Sequence, residues 1–358
     1  MNKVEKQYYL IGQSLDQSSL IELSKSKINS GSVDNWEKEI FKFILEWFDE
    51  NDFIKVNTSG STGKPKAISL KKKHMAESAH ATLNFLGIKE EDKALLCLPA
   101  NYIAGKMMIV RVLIGGLDLN YVQPSLNPEF SQNEQFKLLA VVPSMLADII
   151  KSGKIKDLEH FENILIGGSE ISPKDEKELS ALNNKIWHTY GMTETITHIA
   201  LRKVNGADRS DWFTPMKGVK ISISKDDALV IDYNNIGVLN LTTNDLAEIN
   251  KNGDFKILGR KDNVIISGSL KLYPEELEKK IADIIESDFF IYGISDEKLG
   301  QKVVLFIEDR DVKTEKVIIT GLSQKLSKIE LPKEIFWIKQ FDRTPNGKIL
   351  RRNYLQDK

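Results

Sequence analysis

Nine consecutive residues, Thr58-Ser59-Gly60-Ser61-Thr62-Gly63-Lys64-Pro65-Lys66, bring four hydroxyls, two glycines and two lysines together directly after an apolar run. A polyphosphate is well served by this set: glycines let backbone N–H groups converge on an oxyanion, hydroxyls add donors, and lysines supply positive charge. A solvated polar turn is the competing interpretation. The spacing is not that of a Walker loop, because two residues separate Gly60 from Gly63 and Pro65 follows Lys64. A second candidate is Arg111, set inside Met107-Met108-Ile109-Val110-Arg111-Val112-Leu113-Ile114. A charge in such a run must be paired or face a cavity, so an ion pair with a helix neighbour and a contact with an anionic substrate are both open.

The elements that position these residues follow from periodicity. After Trp36 the apolar Ile40, Phe43, Ile44 and Trp47 recur at helical spacing, and Phe53-Ile54-Lys55-Val56 reads as the strand that delivers the polar loop. Apolar runs at residues 95–98, 119–122, 138–142 and 164–166 alternate with helical stretches and predict a largely parallel sheet. Beyond Thr197 the runs at residues 220–223, 228–232, 237–241 and 255–258 are closely spaced, with turn pairs Asp226-Asp227, Asn234-Asn235 and Asn252-Gly253, and predict antiparallel β structure. Helices over residues 274–285 and 315–329 and strands over 303–307 and 335–338 complete a last unit. The fold class is α/β: a large N-terminal α/β domain with an added antiparallel β region, residues 1–259, and a small C-terminal α+β domain, residues 260–358.

A length of 358 residues fits two to three domains at about 150 residues each. Lys and Arg total 50 against 51 Asp and Glu, so no polyanion is favoured and a nucleic-acid partner is not expected. The single Cys97 excludes an intrachain disulfide and suits the cytoplasm. The N-terminus lacks the apolar core of a signal peptide, and the apolar stretch at residues 107–117 is interrupted by Arg111 and too short to span a membrane.

The loop at residues 58–66 resembles the signature of the adenylate-forming superfamily, and four further segments match in order. Tyr190-Gly191-Met192-Thr193-Glu194 is similar to its Tyr-Gly-x-Thr-Glu motif, and Asp245 stands where it has a Thr-Gly-Asp aspartate, with Asn244 in place of the glycine. Gly259-Arg260-Lys261-Asp262, continuing to Pro274 and Glu278, resembles its hinge region, and Arg343-Thr344-Pro345-Asn346-Gly347-Lys348 resembles its C-terminal lysine motif. The match runs from about Val56 to Arg352.

The resemblance implies activation of a carboxylic acid by ATP, then transfer of the acyl group to coenzyme A. Thr58, Ser59, Gly60, Ser61, Thr62, Gly63 and Lys66 would hold phosphates. Glu194 would ligate Mg²⁺, for which one carboxylate with waters suffices, and Thr193 would donate to the α-phosphate. Tyr190 and Gly191 would border the nucleotide, Asp245 and Arg260 would bind the ribose, and Gly168, in Gly167-Gly168-Ser169-Glu170, would lie against adenine unless that turn is an ordinary strand-to-helix connection. Lys348 would reach the α-phosphate during adenylation. Asp262 would be the hinge of a mobile C-terminal domain, and Gly268, followed by Ser269 where a second glycine is common, would line the coenzyme A tunnel.

Within the superfamily the likeness is to the o-succinylbenzoate-CoA ligases of menaquinone biosynthesis. It is carried by the Thr195 that follows Glu194, and by Leu98-Pro99-Ala100-Asn101-Tyr102-Ile103-Ala104-Gly105 followed by Arg111, with Tyr102 at the usual histidine. Such an acid is a dicarboxylate, so its second carboxylate needs a partner: Arg111, or alternatively Lys106, His198 or Tyr102. An adenylating ligase for another aryl or acyl acid, one that loads a carrier protein, and a non-catalytic binder are the alternatives. The signature loop begins at residue 58, which implies a shortened N-terminal subdomain and a surface that a homodimer could cover.

Overall fold

The computed structural model describes residues 6–57, 67–308, 315–343 and 349–354. The chain forms two compact units, one comprising Met1–Ile171, Glu178–Lys220 and Asp232–Leu239, the other Ser172–Lys177, Ile221–Ile231 and Asn240–Lys358.

The first unit is built on a nine-stranded sheet. Its central strands Asp118–Tyr121, Lys93–Leu96, Phe136–Val141, Phe161–Ile166 and Lys185–Gly191 are hydrogen-bonded side by side and parallel. Those four apolar runs expected as parallel strands are therefore strands of one sheet. Their Leu, Ile and Val side chains are buried on both faces, as a parallel sheet covered by helices requires. The order reverses at the edge, where His198–Lys203 pairs antiparallel with Lys185–Gly191. At the other edge a short hairpin, Tyr8–Leu10 with Gln13–Leu15, joins the sheet beside Asp118–Tyr121. A separate antiparallel pair, Phe53–Asn57 with Ala67–Lys71, brings Asn57 opposite Ala67 and so holds together the two ends of residues 58–66.

The helix Ile103–Gly115 is buried without interruption from Gly105 to Leu113, so its apolar character extends all round. It enters against the preceding loop so closely that a Cβ on Gly105 would lie 2.2 Å from the Pro99 carbonyl oxygen. This one helix carries both Lys106 and Arg111.

In the second unit the strand Val238–Ile249, from Asn240 onward, runs antiparallel to Phe255–Arg260. Beyond it a five-stranded sheet centres on Gly300–Glu308, flanked by antiparallel Phe289–Asp296 and parallel Glu334–Ile338, and linked to the hairpin Ile265–Ser267/Leu270–Leu272. The central strand alternates: Val303, Leu305 and Ile307 join one core with Leu277, Ile281, Ile318 and Leu322 from two helices, whereas Val304 and Phe306 join another with Phe290 and Phe341. Those helices, Pro274–Ile281 and Glu315–Lys325, end earlier than their sequence periodicity predicts, because Ile285 and Leu326 reach the same core from the turns that follow.

Candidate functional site

The Thr-Glu motif forms a turn at the end of the strand Lys185–Gly191. Thr193–Thr195 is a single 3-10 turn in which Glu194 is exposed, free to meet a cation or solvent. The turn is held from inside by Thr195, which is fully buried. Its hydroxyl accepts from the Met192 N–H at 2.9 Å and reaches the Thr197 carbonyl oxygen at 2.8 Å. Ile196 then has φ 69° and ψ −58°, and the Thr197 N–H reaches the Thr195 carbonyl at 2.7 Å. That is a γ-turn with positive φ, rare and strained, at a β-branched residue; such strain is on the order of 1–3 kcal/mol. Gly191 is obligatory opposite it, since a Cβ there would lie 2.3 Å from the Thr197 carbonyl oxygen. The Tyr190 ring packs 5.9 Å from Phe213.

The γ-turn presents Thr197 to Arg111. The Arg111 guanidinium is 3% exposed, and its Nη2 donates to Thr197 Oγ1 at 3.2 Å. Its Nε is buried without a partner, and among the described residues no carboxylate pairs with it. The helix-neighbour ion pair left open by the sequence is therefore not made. Burial pulls the Arg111 pKa down to about 10, which still leaves the group charged at neutral pH. His198 is buried beside it, with Nδ1 3.5 Å from Thr197 Oγ1 and Nε2 3.0 Å from Thr82 Oγ1. Burial, and then the charge of Arg111, hold the imidazole well below its usual pKa, so it is neutral. Lys106 differs: its ammonium pairs with Glu46 at 3.1 Å and sits 4.2 Å from the Phe43 ring centroid. Tyr102, just ahead of the helix, is 46% exposed.

The Gly167-Gly168 turn follows Phe161–Ile166 directly. A Cβ on Gly167 would lie 2.4 Å from Thr189 Oγ1 and displace that hydroxyl, and Gly168 has φ +101°, a backbone that favours glycine. Sequence reasoning missed what anchors this turn: His188 Nε2 lies 3.1 Å from the Ser169 carbonyl oxygen, while its Nδ1 accepts from Arg202 Nε at 3.1 Å. The signal, a histidine in the strand before the Thr-Glu motif, was present.

In the second unit the antiparallel register sets Asp245 directly opposite Arg260. Arg260 Nη1 is 3.4 Å from Asp245 Oδ1, and Nε donates to Asp262 Oδ1 at 3.0 Å. Burial works against the Arg260 charge, but these two carboxylates keep its pKa above the ordinary value. Asn244 does not disturb the aspartate, whose N–H donates to Thr243 Oγ1 at 3.1 Å. Gly268 and Ser269 form the two-residue connection between Ile265–Ser267 and Leu270–Leu272, with φ 55° and 71°. Positive φ at both positions is the mark of a type I′ hairpin turn, so Ser269 takes up a glycine-like backbone. Glu278 is half-buried, with Oε1 accepting from the Ile291 N–H and Oε2 from Arg351 Nη2, each at 2.8 Å.

Residues 58–66 and Lys348 lie outside the described residues. The segment with Lys348 is entered at Arg343 and left at Ile349, which pair in an antiparallel bridge. Among the described residues no cluster of three His, Cys, Asp or Glu side chains could hold a metal alone. The exposed Glu194 carboxylate suits Mg²⁺, which takes one or two carboxylates and completes its shell with waters and substrate phosphates. A cleft of about 440 Å³ lined by Glu46, Asp49, Asn51, Phe53, Lys55 and Ser69 contains none of the candidate residues.

The AMP-binding enzyme family matches residues 13–240. A 2-succinylbenzoate--CoA ligase of Bacillus cereus is 27% identical over 360 residues, covering 90% of this chain and 74% of that protein. Its counterpart in Bacillus cytotoxicus is 28% identical, covering 84% and 69%. Among solved structures, an acyl-CoA synthetase (AMP-forming)/AMP-acid ligase II-like protein from Dyadobacter fermentans is 30% identical with a TM-score of 0.63, covering 93% of this chain and 96% of that one. The o-succinylbenzoate CoA synthetase of Bacillus subtilis, in complex with its acyl-adenylate intermediate, has a TM-score of 0.80 at 18% identity over 100% of this chain and 96% of that one, a likeness of fold.

Proposed function

Because the chain belongs to the AMP-binding enzyme family, we propose that it converts o-succinylbenzoate to its CoA thioester, a step of menaquinone biosynthesis. It is an AMP-forming acid–thiol ligase. Hydroxide is a poor leaving group, so the acid carboxylate first attacks the α-phosphate of ATP, releasing pyrophosphate. The thiol of coenzyme A then displaces AMP. The first step brings two anions together, and neutralising their charge is the main catalytic task. The loop at residues 58–66 holds the β- and γ-phosphates, Glu194 is the Mg²⁺ ligand, and Thr193 and Lys348 donate to the α-phosphate. Bound Mg²⁺ supplies charge neutralisation on the phosphates. Asp245 and Arg260 take the ribose hydroxyls, and the Gly168 turn lies against adenine. Asp262 marks the hinge between residues 1–259 and 260–358, and Gly268 lies on the coenzyme A path. The enzyme works in the cytoplasm.

The observation that carries the choice of acid is the buried Arg111, charged and without a counter-ion among the described residues. It suits an acid with a second carboxylate, whereas Lys106 on the same helix is already satisfied by Glu46. Acid-dependent ATP–pyrophosphate exchange tests this. Exchange should be strong with o-succinylbenzoate and weak with benzoate and fatty acids; the reverse order would replace the substrate, and a carrier protein outperforming coenzyme A would replace the acceptor. Lys348→Ala should slow adenylation by ~10²-fold or more while converting presynthesised acyl-adenylate normally.

A further inference from the structure

We propose that Thr197, His198 and Thr82 form a neutral relay that aims Arg111 at the second carboxylate of the acid, making Thr197 a specificity-determining positioning residue. The proposal rests on the reading of Arg111 given above. One self-consistent set of donors and acceptors joins these groups. With the Thr82 hydroxyl proton on the Ser78 carbonyl oxygen at 3.1 Å, Thr82 is an acceptor toward His198. His198 is therefore protonated on Nε2, and its Nδ1 is left to accept the Thr197 hydroxyl proton. With that proton committed, Thr197 Oγ1 is a pure acceptor toward Arg111 Nη2.

A carboxylate in place of Thr197 would also orient the guanidinium, but it would neutralise it and remove the reason for an anion to bind. A hydroxyl backed by a neutral imidazole fixes the orientation and leaves the positive charge uncompensated. The buried Nε without a partner shows that the protein has not completed the donor set. The strained backbone at Ile196 fits the same account. The γ-turn aims Thr197 at the helix, and Thr195 and Gly191 hold the turn in place.

The test compares two acids: o-succinylbenzoate, and 4-oxo-4-phenylbutanoate, which keeps the activated carboxylate and lacks the second. Thr197→Val should raise KM for o-succinylbenzoate by ~10-fold or more, leave KM for ATP unchanged, and leave kcat/KM for the monocarboxylate within about twofold. Thr197→Ser should restore the wild-type preference. Thr82→Val, three hydrogen bonds from Arg111 and on another helix, should produce a weaker loss of the same kind, and it keeps the test open if Thr197→Val folds poorly. Equal losses for both acids, or no loss in either variant, would overturn the relay. Arg111→Met separates the two claims. If it leaves the preference between the acids intact, the reading of Arg111 itself fails; if it abolishes the preference and Thr197→Val does not, only the relay fails.

Discussion

Arg111 of the first unit and the partly buried Arg351 and Arg343 of the second are treated in opposite ways. In the second unit Arg351 meets Glu278 at 2.8 Å, lies 3.8 Å from Glu275, and has its guanidinium 5.5 Å from the Phe290 ring centroid. Arg343 likewise meets Asp288 at 2.7 Å and the buried Glu308 at 3.1 Å. In the first unit Arg111 has one hydroxyl. Lys106, on the same helix, shows that this region can supply a counter-ion where one is wanted. Compensated charges of the first kind act as architecture: Arg351 is tied to the helix Pro274–Ile281, and Arg343 to Asp288 and to Glu308 of the central strand. An uncompensated buried charge costs folding free energy, and that cost is what the proposal for Arg111 accounts for.

The largest effect that could break this contrast is expected at Glu278. Glu278→Ala leaves Arg351 without its closest carboxylate and the Ile291 N–H without its acceptor, and should lower unfolding free energy by about 1–3 kcal/mol in urea titration. Combining Glu278→Leu with Arg351→Met should recover most of that loss, because an ion pair replaced as a whole by apolar groups costs little. A single mutant as stable as wild type would remove the pair from the architecture. Arg111→Met is the counterpart, with a smaller expected effect of opposite sign. It should leave thermal stability unchanged or raised, within about 1 kcal/mol, while acid KM rises at least tenfold. Destabilisation on the scale of Glu278→Ala would mean that Arg111 is structural after all.

These residues also show what could be read from the sequence. Arg111 was visible because a lone charge interrupts an apolar run, and the parallel strands were visible because such runs recur between helices. The relay was not: Thr82 and His198 are 116 residues apart, and Glu278 and Arg351 are 73 apart, so only the folded chain joins them. Thr195-Ile196-Thr197 is rich in β-branched residues and reads as strand, yet tertiary contacts hold Ile196 in a backbone conformation its own propensity opposes. Conversely, the loop at residues 58–66 and the Lys348 motif are legible only as sequence, through residue types and order that resemble a known family.

The smallest effect is also the sharpest comparison, because the two units should respond oppositely to acid. His198, facing Arg111, Thr197 and Thr82, is held well below its ordinary value of 6.5. The unfolded chain then takes up a proton that the native site refuses, so this contribution to stability is present above pH 6.5 and is lost as pH falls below it. Glu278, facing Arg351 and Glu275, is pushed by burial from 4.5 up to about 7, against the pull of Arg351. Here the native state holds the extra proton, so the contribution is full below pH 4.5 and is lost as pH rises toward 7. Each uncompensated proton changes stability by at most about 1.4 kcal/mol per pH unit. Between pH 6.5 and 5, amide exchange near Ile199 should quicken relative to exchange near Ile291, whose N–H bonds to Glu278. His198→Gln should flatten the first response and Glu278→Gln the second. Parallel responses in both regions would show that the two sites share one electrostatic logic, and the contrast drawn between them would fall.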